Sequence, residues 1–76
     1  MKFERLRYLR ENADMTQKAL GEYLHISQRA YAHYENGTRD IPVEMLIRLA
    51  SYYHTSIDYI VGLSDERSPK DRKPNT

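Results

Sequence analysis

Residues 16–37 read TQKALGEYLHISQRAYAHYENG, and this stretch decides the fold. Its spacing predicts two short helices that are joined by a tight turn at residues 25–26. Thr16 and Ser27 are the expected N-caps, because the first amide groups of a helix lack intrahelical acceptors and a hydroxyl can supply one. Gly37 is expected to end the second helix in the left-handed conformation that glycine tolerates best.

The two predicted helices have an apolar seam and a polar outer edge. The seam is formed by residues at helical spacing: Leu20, Gly21, Leu24, Ala30, Tyr31 and Tyr34. The outer edge of the second helix carries Gln28, Arg29, Ala32 and His33. Glutamine can pair bidentately with adenine and arginine with guanine, so this edge is suited to the major groove of duplex DNA.

This pattern resembles the helix-turn-helix of phage-repressor and Cro-like (XRE-type) transcriptional regulators. The similar positions in the deciding stretch are Thr16, Gln17, Leu20, Gly21, Leu24, Ile26, Ser27, Tyr31, Glu35, Asn36, Gly37 and Arg39. Similar positions in the family's other helices are Leu6, Leu9, Arg10, Ile41, Pro42, Leu46, Leu49, Ala50, Ser56, Ile57, Asp58 and Tyr59. The resemblance covers residues 2–63. It implies an all-α, compact bundle of about five short helices, a lambda-repressor-like DNA-binding domain.

The resemblance also implies roles for individual residues. The base-contacting positions are Gln28, Arg29, Ala32 and His33. The phosphate-contacting positions are Gln17, Lys18, Asn36, Thr38 and Arg39, and Gln17 is also expected to brace Gln28. An arginine like Arg10 pairs with a glutamate like Glu35 in a partly buried bridge. No cofactor is implied.

Two alternatives to these roles stay open. Gln28 and Arg29 could be ordinary surface residues of a capped helix. His33 could contact a flanking phosphate instead of a base, or be a solvated surface histidine. A metal site is not predicted, because no two of the three histidines have the i, i+4 spacing of a zinc motif and no carboxylate pattern accompanies them.

Composition limits the class of protein. With 76 residues and no cysteine, one small domain without disulfides is expected. No apolar run could span a membrane and no signal segment is visible, so a cytoplasmic protein is expected. The formal net charge is +1, and residues 1–63 carry eight basic and eight acidic side chains. Charge therefore gives no support for DNA binding, which rests on the motif alone.

The rest of the chain is expected to complete the bundle and to leave a tail. A first helix is predicted over residues 2–12, a fourth with Pro42 in its first turn, and a fifth capped by Ser56. The predicted core consists of Leu6, Leu9, Leu20, Leu24, Ile26, Tyr31, Ile41, Leu46, Leu49 and Ile60. Residues 64–76 contain no large apolar residue, so the domain is expected to end at Leu63 and the tail to be disordered.

These observations predict a sequence-specific, double-stranded DNA-binding transcriptional regulator, most simply a repressor. A homodimer on an inverted-repeat operator is expected, with apolar candidates for pairing at Ile57, Tyr59, Val61 and Leu63. One alternative is an interaction module of the same fold, an antitoxin or antirepressor. An enzyme is not predicted, because the sequence shows no nucleophile–base pair, phosphate-binding glycine loop or metal-ligand spacing.

Overall fold

The computed structural model describes residues 2–67, most of which lie in five α-helices. The helices are α1 (Glu4–Asn12), α2 (Gln17–Leu24), α3 (Gln28–Asn36), α4 (Val43–Tyr52) and α5 (Ile57–Val61). No strand occurs in this part of the chain. The predicted all-α bundle of five short helices is therefore confirmed.

The predicted helix ends are formed by the expected residues. The hydroxyl oxygens of Thr16, Ser27 and Ser56 each accept the amide hydrogen three residues ahead, at 3.0 Å. Such a cap contributes about 1 kcal/mol, because it satisfies an amide that the helix itself cannot. His25 ends α2 at a φ of 60° and Gly37 ends α3 at a φ of 78°. Histidine at a positive φ is uncommon but tolerated better than most residues.

Two predicted helix starts differ from the structure. The first helix begins at Glu4 instead of Lys2, because Phe3 is extended and the chain before it crosses the end of α3. A Cβ on Gly37 would lie 2.7 Å from the Cβ of Lys2. Pro42 precedes α4 as its N-cap, with a ψ of 147°, and is not part of its first turn.

The core lies where all five helices meet. Its buried residues are Leu6, Leu9, Leu20, Leu24, Tyr31, Leu46, Leu49, Ala50, Tyr53, Tyr59 and Ile60. Of the predicted core, Ile26 and Ile41 are only partly buried and pack against its edge. Helices α2 and α3 pack against each other most extensively, while α1 contacts α3 and α5. The core therefore holds the α2–α3 pair against a scaffold of the other three helices.

Gly21 sets the distance between α2 and the start of α3. A Cβ at this position would lie 3.0 Å from the Ile26 carbonyl oxygen and 3.2 Å from the Gln28 amide nitrogen. Both neighbours are backbone atoms, which cannot move aside as a side chain would. The absence of a side chain at Gly21 therefore lets the two helices approach closely and determines where Gln28 lies.

The packed structure continues beyond Leu63. Arg5 donates through Nη1 to the Ser64 carbonyl at 2.5 Å and through Nη2 to Asp65 Oδ1 at 2.7 Å. The Thr55 hydroxyl donates to the carbonyl of Arg67. These polar contacts hold residues 64–67 without any apolar side chain, and the domain end at Leu63 stays a prediction. Residues 68–76 of the expected tail lie outside the described residues.

Candidate nucleic-acid interface

The predicted base-contacting residues lie along one face of α3. Gln28 and Arg29 occupy its first two positions and are exposed, because Ser27 caps the helix and leaves these side chains outside. Ala32 and His33 follow one turn later, on the same face, and are half-buried. The structure thus brings the four side chains together, with Gln28 and Arg29 the most accessible.

A groove separates this face of α3 from the loop that follows the helix. Its volume is about 340 Å³, and it is lined by Ser27, Arg29, Ala30, His33 and Arg39. None of these lining residues is acidic, whereas two are arginines. Ser27 and Ala30 were not among the predicted site residues, although their i, i+3, i+6 spacing with His33 on one helix face could have indicated them.

The loop after α3 is held by hydrogen bonds to His33. The Thr38 Oγ1 atom lies 2.7 Å from His33 Nδ1 and 3.3 Å from the His33 carbonyl oxygen. The amides of Thr38 and Arg39 also donate to this carbonyl, at 3.0 and 3.3 Å. The left-handed Gly37 makes this reversal of the chain possible. These hydrogen bonds to His33 therefore determine the position of Arg39 after the end of α3.

The predicted phosphate-contacting residues have different surroundings. Lys18, Asn36, Thr38 and Arg39 are exposed. The hydroxyl of Thr38, however, is already engaged by His33. Gln17 is half-buried, and its amide helps to lower the pKa of the Glu35 carboxyl. Within residues 2–67 no hydrogen bond joins Gln17 to Gln28, so the expected bracing contact is not made in this structure.

Arg10 and Glu35 form a buried, bidentate ion pair. Arg10 Nε donates to Glu35 Oε2 and Arg10 Nη2 donates to Oε1, both at 2.9 Å. The remaining nitrogen, Nη1, donates to the Met15 carbonyl at 3.0 Å. Arg10 therefore ties α1 to α3 and to the loop before α2. Paired guanidinium and carboxylate groups of this geometry are stronger than single hydrogen bonds.

The charge of Glu35 is compensated inside the domain. Burial is the largest single effect and would raise the pKa of its carboxyl, but the hydrogen bonds and charge of Arg10, together with the nearby Tyr31 hydroxyl and Gln17 amide, outweigh it. The pKa of Glu35 therefore lies below its ordinary value, while Glu35 raises that of Arg10. Because Glu35 is only 2% exposed, its negative charge is not presented to the groove side of α3.

Two buried tyrosine hydroxyls lie close to the ion pair. The hydroxyls of Tyr31 and Tyr53 reach no hydrogen-bond partner among the described residues. Burial, followed by nearby negative charge, raises the pKa of both phenols above the ordinary value. Both tyrosines therefore stay neutral at physiological pH and serve as core aromatics.

Residues 2–67 contain no group of three or more histidine, aspartate or glutamate side chains that could hold a metal ion. None of the five helices is long and apolar enough to cross a membrane.

Comparisons with known proteins agree with this geometry. A family model described as Helix-turn-helix matches residues 6–60. The uncharacterized HTH-type transcriptional regulator YobD of Bacillus subtilis is 38% identical over 95% of this chain and 64% of its own length. The HTH-type transcriptional regulator ImmR of the same organism is 37% identical over 88% of this chain and 52% of its own length.

A solved structure is also similar. It is the crystal structure of a transcriptional regulator from Listeria innocua, with a TM-score of 0.75 and 35% identity over 87% of this chain and 62% of that one. The chain therefore spans between about half and two thirds of the length of the relatives that it matches.

Proposed function

The chain belongs to the helix-turn-helix family, and on that premise we propose that it is a transcriptional regulator that binds duplex DNA sequence-specifically. The observation that carries the proposal is the exposure of Gln28 and Arg29 at the start of α3. Their backbone position is fixed by the close approach at Gly21. A helix presented in this way can enter the major groove with its N-terminal side chains at base edges.

In this proposal Gln28 and Arg29 read bases, with Ala32 and His33 beside them. Gln17, Lys18, Asn36 and Arg39 contact phosphates, which fix the register of the protein on the duplex without reading its sequence. The small net charge of +1 is no obstacle, because the lining of the groove beside α3 contains two arginines and no acid. We propose no enzymatic activity, in keeping with a family of DNA-binding regulators.

We further propose that the protein acts as a repressor and binds an inverted repeat as a homodimer. One domain of this size offers a single reading helix, and two-fold pairing would place two such helices about 34 Å apart, one turn of duplex. The core uses most of the apolar side chains named for pairing, since Tyr59 is buried and Ile57 and Val61 are half-buried. Leu63 is 80% exposed and is the remaining candidate.

A second candidate function is an interaction module, as in an antitoxin or antirepressor. It is favoured by Val43 and Ile47, which lie one turn apart on α4 and are 65% and 53% exposed. An exposed apolar pair on a helix can contact another protein. In this case α3 would not need to touch DNA at all.

Selection of bound duplexes from a random pool tests the proposal. We expect an enriched sequence with two-fold symmetry, bound in a salt-dependent manner. The double variant Gln28→Ala/Arg29→Ala should lose the enriched site, whereas Arg48→Ala, an exposed arginine on α4, should retain it. An unenriched pool, or a double variant that binds like the wild type, would favour the interaction module.

A further inference from the structure

The groove beside α3 is lined by more basic side chains than base reading requires. Arg29 and His33 reach it from the helix, and Arg39 reaches it from the loop. Glu35, the acidic residue of α3, is turned away into its ion pair with Arg10. Asp40 follows Arg39 in the loop but does not line the groove. Two guanidinium groups beside one depression repel each other, and an anionic ligand would offset that repulsion.

The hydrogen bonds of His33 leave one ring nitrogen for such a ligand. Nδ1 is engaged by the Thr38 hydroxyl at 2.7 Å in either tautomer, so only Nε2 is available. In the protonated ring, Nδ1 donates to Thr38 Oγ1, and the Thr38 hydroxyl donates to the His33 carbonyl. Each donor and acceptor in this series of hydrogen bonds then has a partner. The Nε2 atom carries a hydrogen that it can donate to an oxygen of a ligand.

We propose that His33 and Arg39 together hold one backbone phosphate of the bound duplex in this groove, with Thr38 as the positioning residue of His33. The proposal rests on the DNA-binding function proposed above and deepens it. A phosphate presents oxygens in several directions, so it can accept from Nε2 and from a guanidinium at once. Arg29, one turn before His33 on α3, remains available to meet a base edge.

This arrangement couples DNA affinity to pH. Histidine is the side chain that gains charge between pH 8 and pH 5, and a phosphate favours its charged form. The charged side chains that line the groove with His33 are Arg29 on its own helix and Arg39 in the loop. We therefore expect binding to become roughly three- to tenfold tighter between pH 8 and pH 6.

The experiment measures duplex affinity at pH 6, 7 and 8 for the wild type, His33→Gln, Arg39→Ala and the double variant. His33→Gln should lose the pH response. His54→Asn and His25→Asn are the controls, because both histidines lie at positive φ, which asparagine tolerates, outside the groove lining. Both controls should retain the response. At pH 6 the double variant should reduce the salt slope by about one unit, not two, because both side chains serve one phosphate.

The role of Thr38 is tested with two variants of similar size. Thr38→Val removes the hydroxyl and should weaken the pH response while the melting temperature changes little, because the side chain is exposed. Thr38→Ser retains the hydroxyl and should restore the response. A purely structural role for Thr38 would lower the melting temperature in the valine variant and leave the pH profile unchanged, which would overturn its assignment as the positioning residue.

Duplexes with one neutral methylphosphonate linkage at a time identify the ligand. When one particular linkage is neutral, the wild type should lose both affinity and its pH response. The double variant should bind this duplex and the unmodified duplex with equal affinity. If a base change abolishes the response and every methylphosphonate duplex keeps it, His33 contacts a base and the proposal is wrong. Affinity that is equal at pH 6 and pH 8 would overturn the groove site alone. A wild type that binds no duplex would overturn the DNA-binding function as well.

Discussion

Two arginines of α1 bind distant parts of the chain in contrasting ways. Arg10 meets the Glu35 carboxylate with two nitrogens at 2.9 Å, and both side chains are largely buried. Arg5 lies 4.2 Å over the Tyr59 ring and donates to the Tyr59 carbonyl at 2.7 Å and to Ser64. Its side chain is 29% exposed. Arg10 thus attaches α1 to α3, and Arg5 attaches it to α5 and the residues beyond.

The difference teaches which contacts a sequence can reveal. Arg10 was expected to pair because its partner is a side chain at a fixed place in a family pattern. No such pattern marks a partner for Arg5. Its main acceptors are backbone carbonyls, which every residue carries, so no residue type along the chain marks them.

The largest effect is expected for Arg10→Ala. Truncation leaves the buried Glu35 carboxylate without its partner, which should cost up to about 3 kcal/mol of the free energy of unfolding. Thermal melts at neutral pH compare this variant with the wild type and with Arg7→Ala. Equal melting temperatures for the two variants would remove the buried pair from the account of stability.

Arg5→Ala should cost less, about 1–2 kcal/mol, because its partners are nearer to solvent. Arg5→Lys should recover little of this loss, since an ammonium cannot reproduce the fork that meets several acceptors.

Truncation after Leu63 sharpens the comparison, because it removes the Ser64 and Asp65 acceptors of Arg5. The effects of truncation and of Arg5→Ala should therefore not add. The effects of truncation and of Arg10→Ala should add, because Arg10 makes no contact with residues 64–67. Additive losses for Arg5→Ala and the truncation would mean that the segment is attached by other contacts.

Acid should weaken the Arg10–Glu35 region selectively. The pKa of Glu35 is lower in the folded chain than in the unfolded one, so its contribution to stability is fully present above the unfolded pKa of about 4.3 and is lost as pH falls through the folded pKa. We expect the difference in melting temperature between wild type and Glu35→Gln to shrink between pH 7 and pH 3. A difference that stays constant over this range would contradict the lowered pKa.

The smallest effect is expected for Arg7→Ala. Arg7 Nε lies 3.3 Å from Glu11 Oε2, one turn along α1, and both side chains are more than half exposed. Such pairs contribute less than about 0.5 kcal/mol and are screened by salt. The melting temperature should change by a degree or two at most, and by less at high salt. A loss of stability as large as that of Arg5→Ala would mean that solvent exposure does not explain the different contributions of Arg5 and Arg7.

Local chemistry made much of the fold predictable. The caps at Thr16, Ser27 and Ser56 follow from hydroxyl groups placed before apolar helical spacing, and each is present. The helix start at Glu4 was not predictable, because it depends on the packing of Lys2 against Gly37, far along the chain. Contacts of this kind depend on the fold as a whole, and no local pattern encodes them.

The exposure of the first candidate residues was predictable from the sequence, but the contacts within the candidate site were not. The exposure of Gln28 and Arg29 follows from their place after the cap of α3. The hydrogen bond between Thr38 and His33 could not be predicted, because a polar residue in a loop can either make such a bond or be solvated. The buried position of Tyr59, named earlier as a candidate for pairing, results from the packing of α1 over α5 and from Arg5 above its ring.

The most direct test of the central claim, that α3 reads bases while the following loop binds the backbone, is a set of titrations at several salt concentrations. Each variant is measured against the selected site and a scrambled duplex. Gln28→Ala and Arg29→Ala should each cost roughly 1–3 kcal/mol on the selected site and relax preference at one or two base pairs. Arg39→Ala should weaken binding to both duplexes alike and flatten the salt dependence by about one unit. A change of base preference with Arg39→Ala, and none with Gln28→Ala or Arg29→Ala, would contradict the claim.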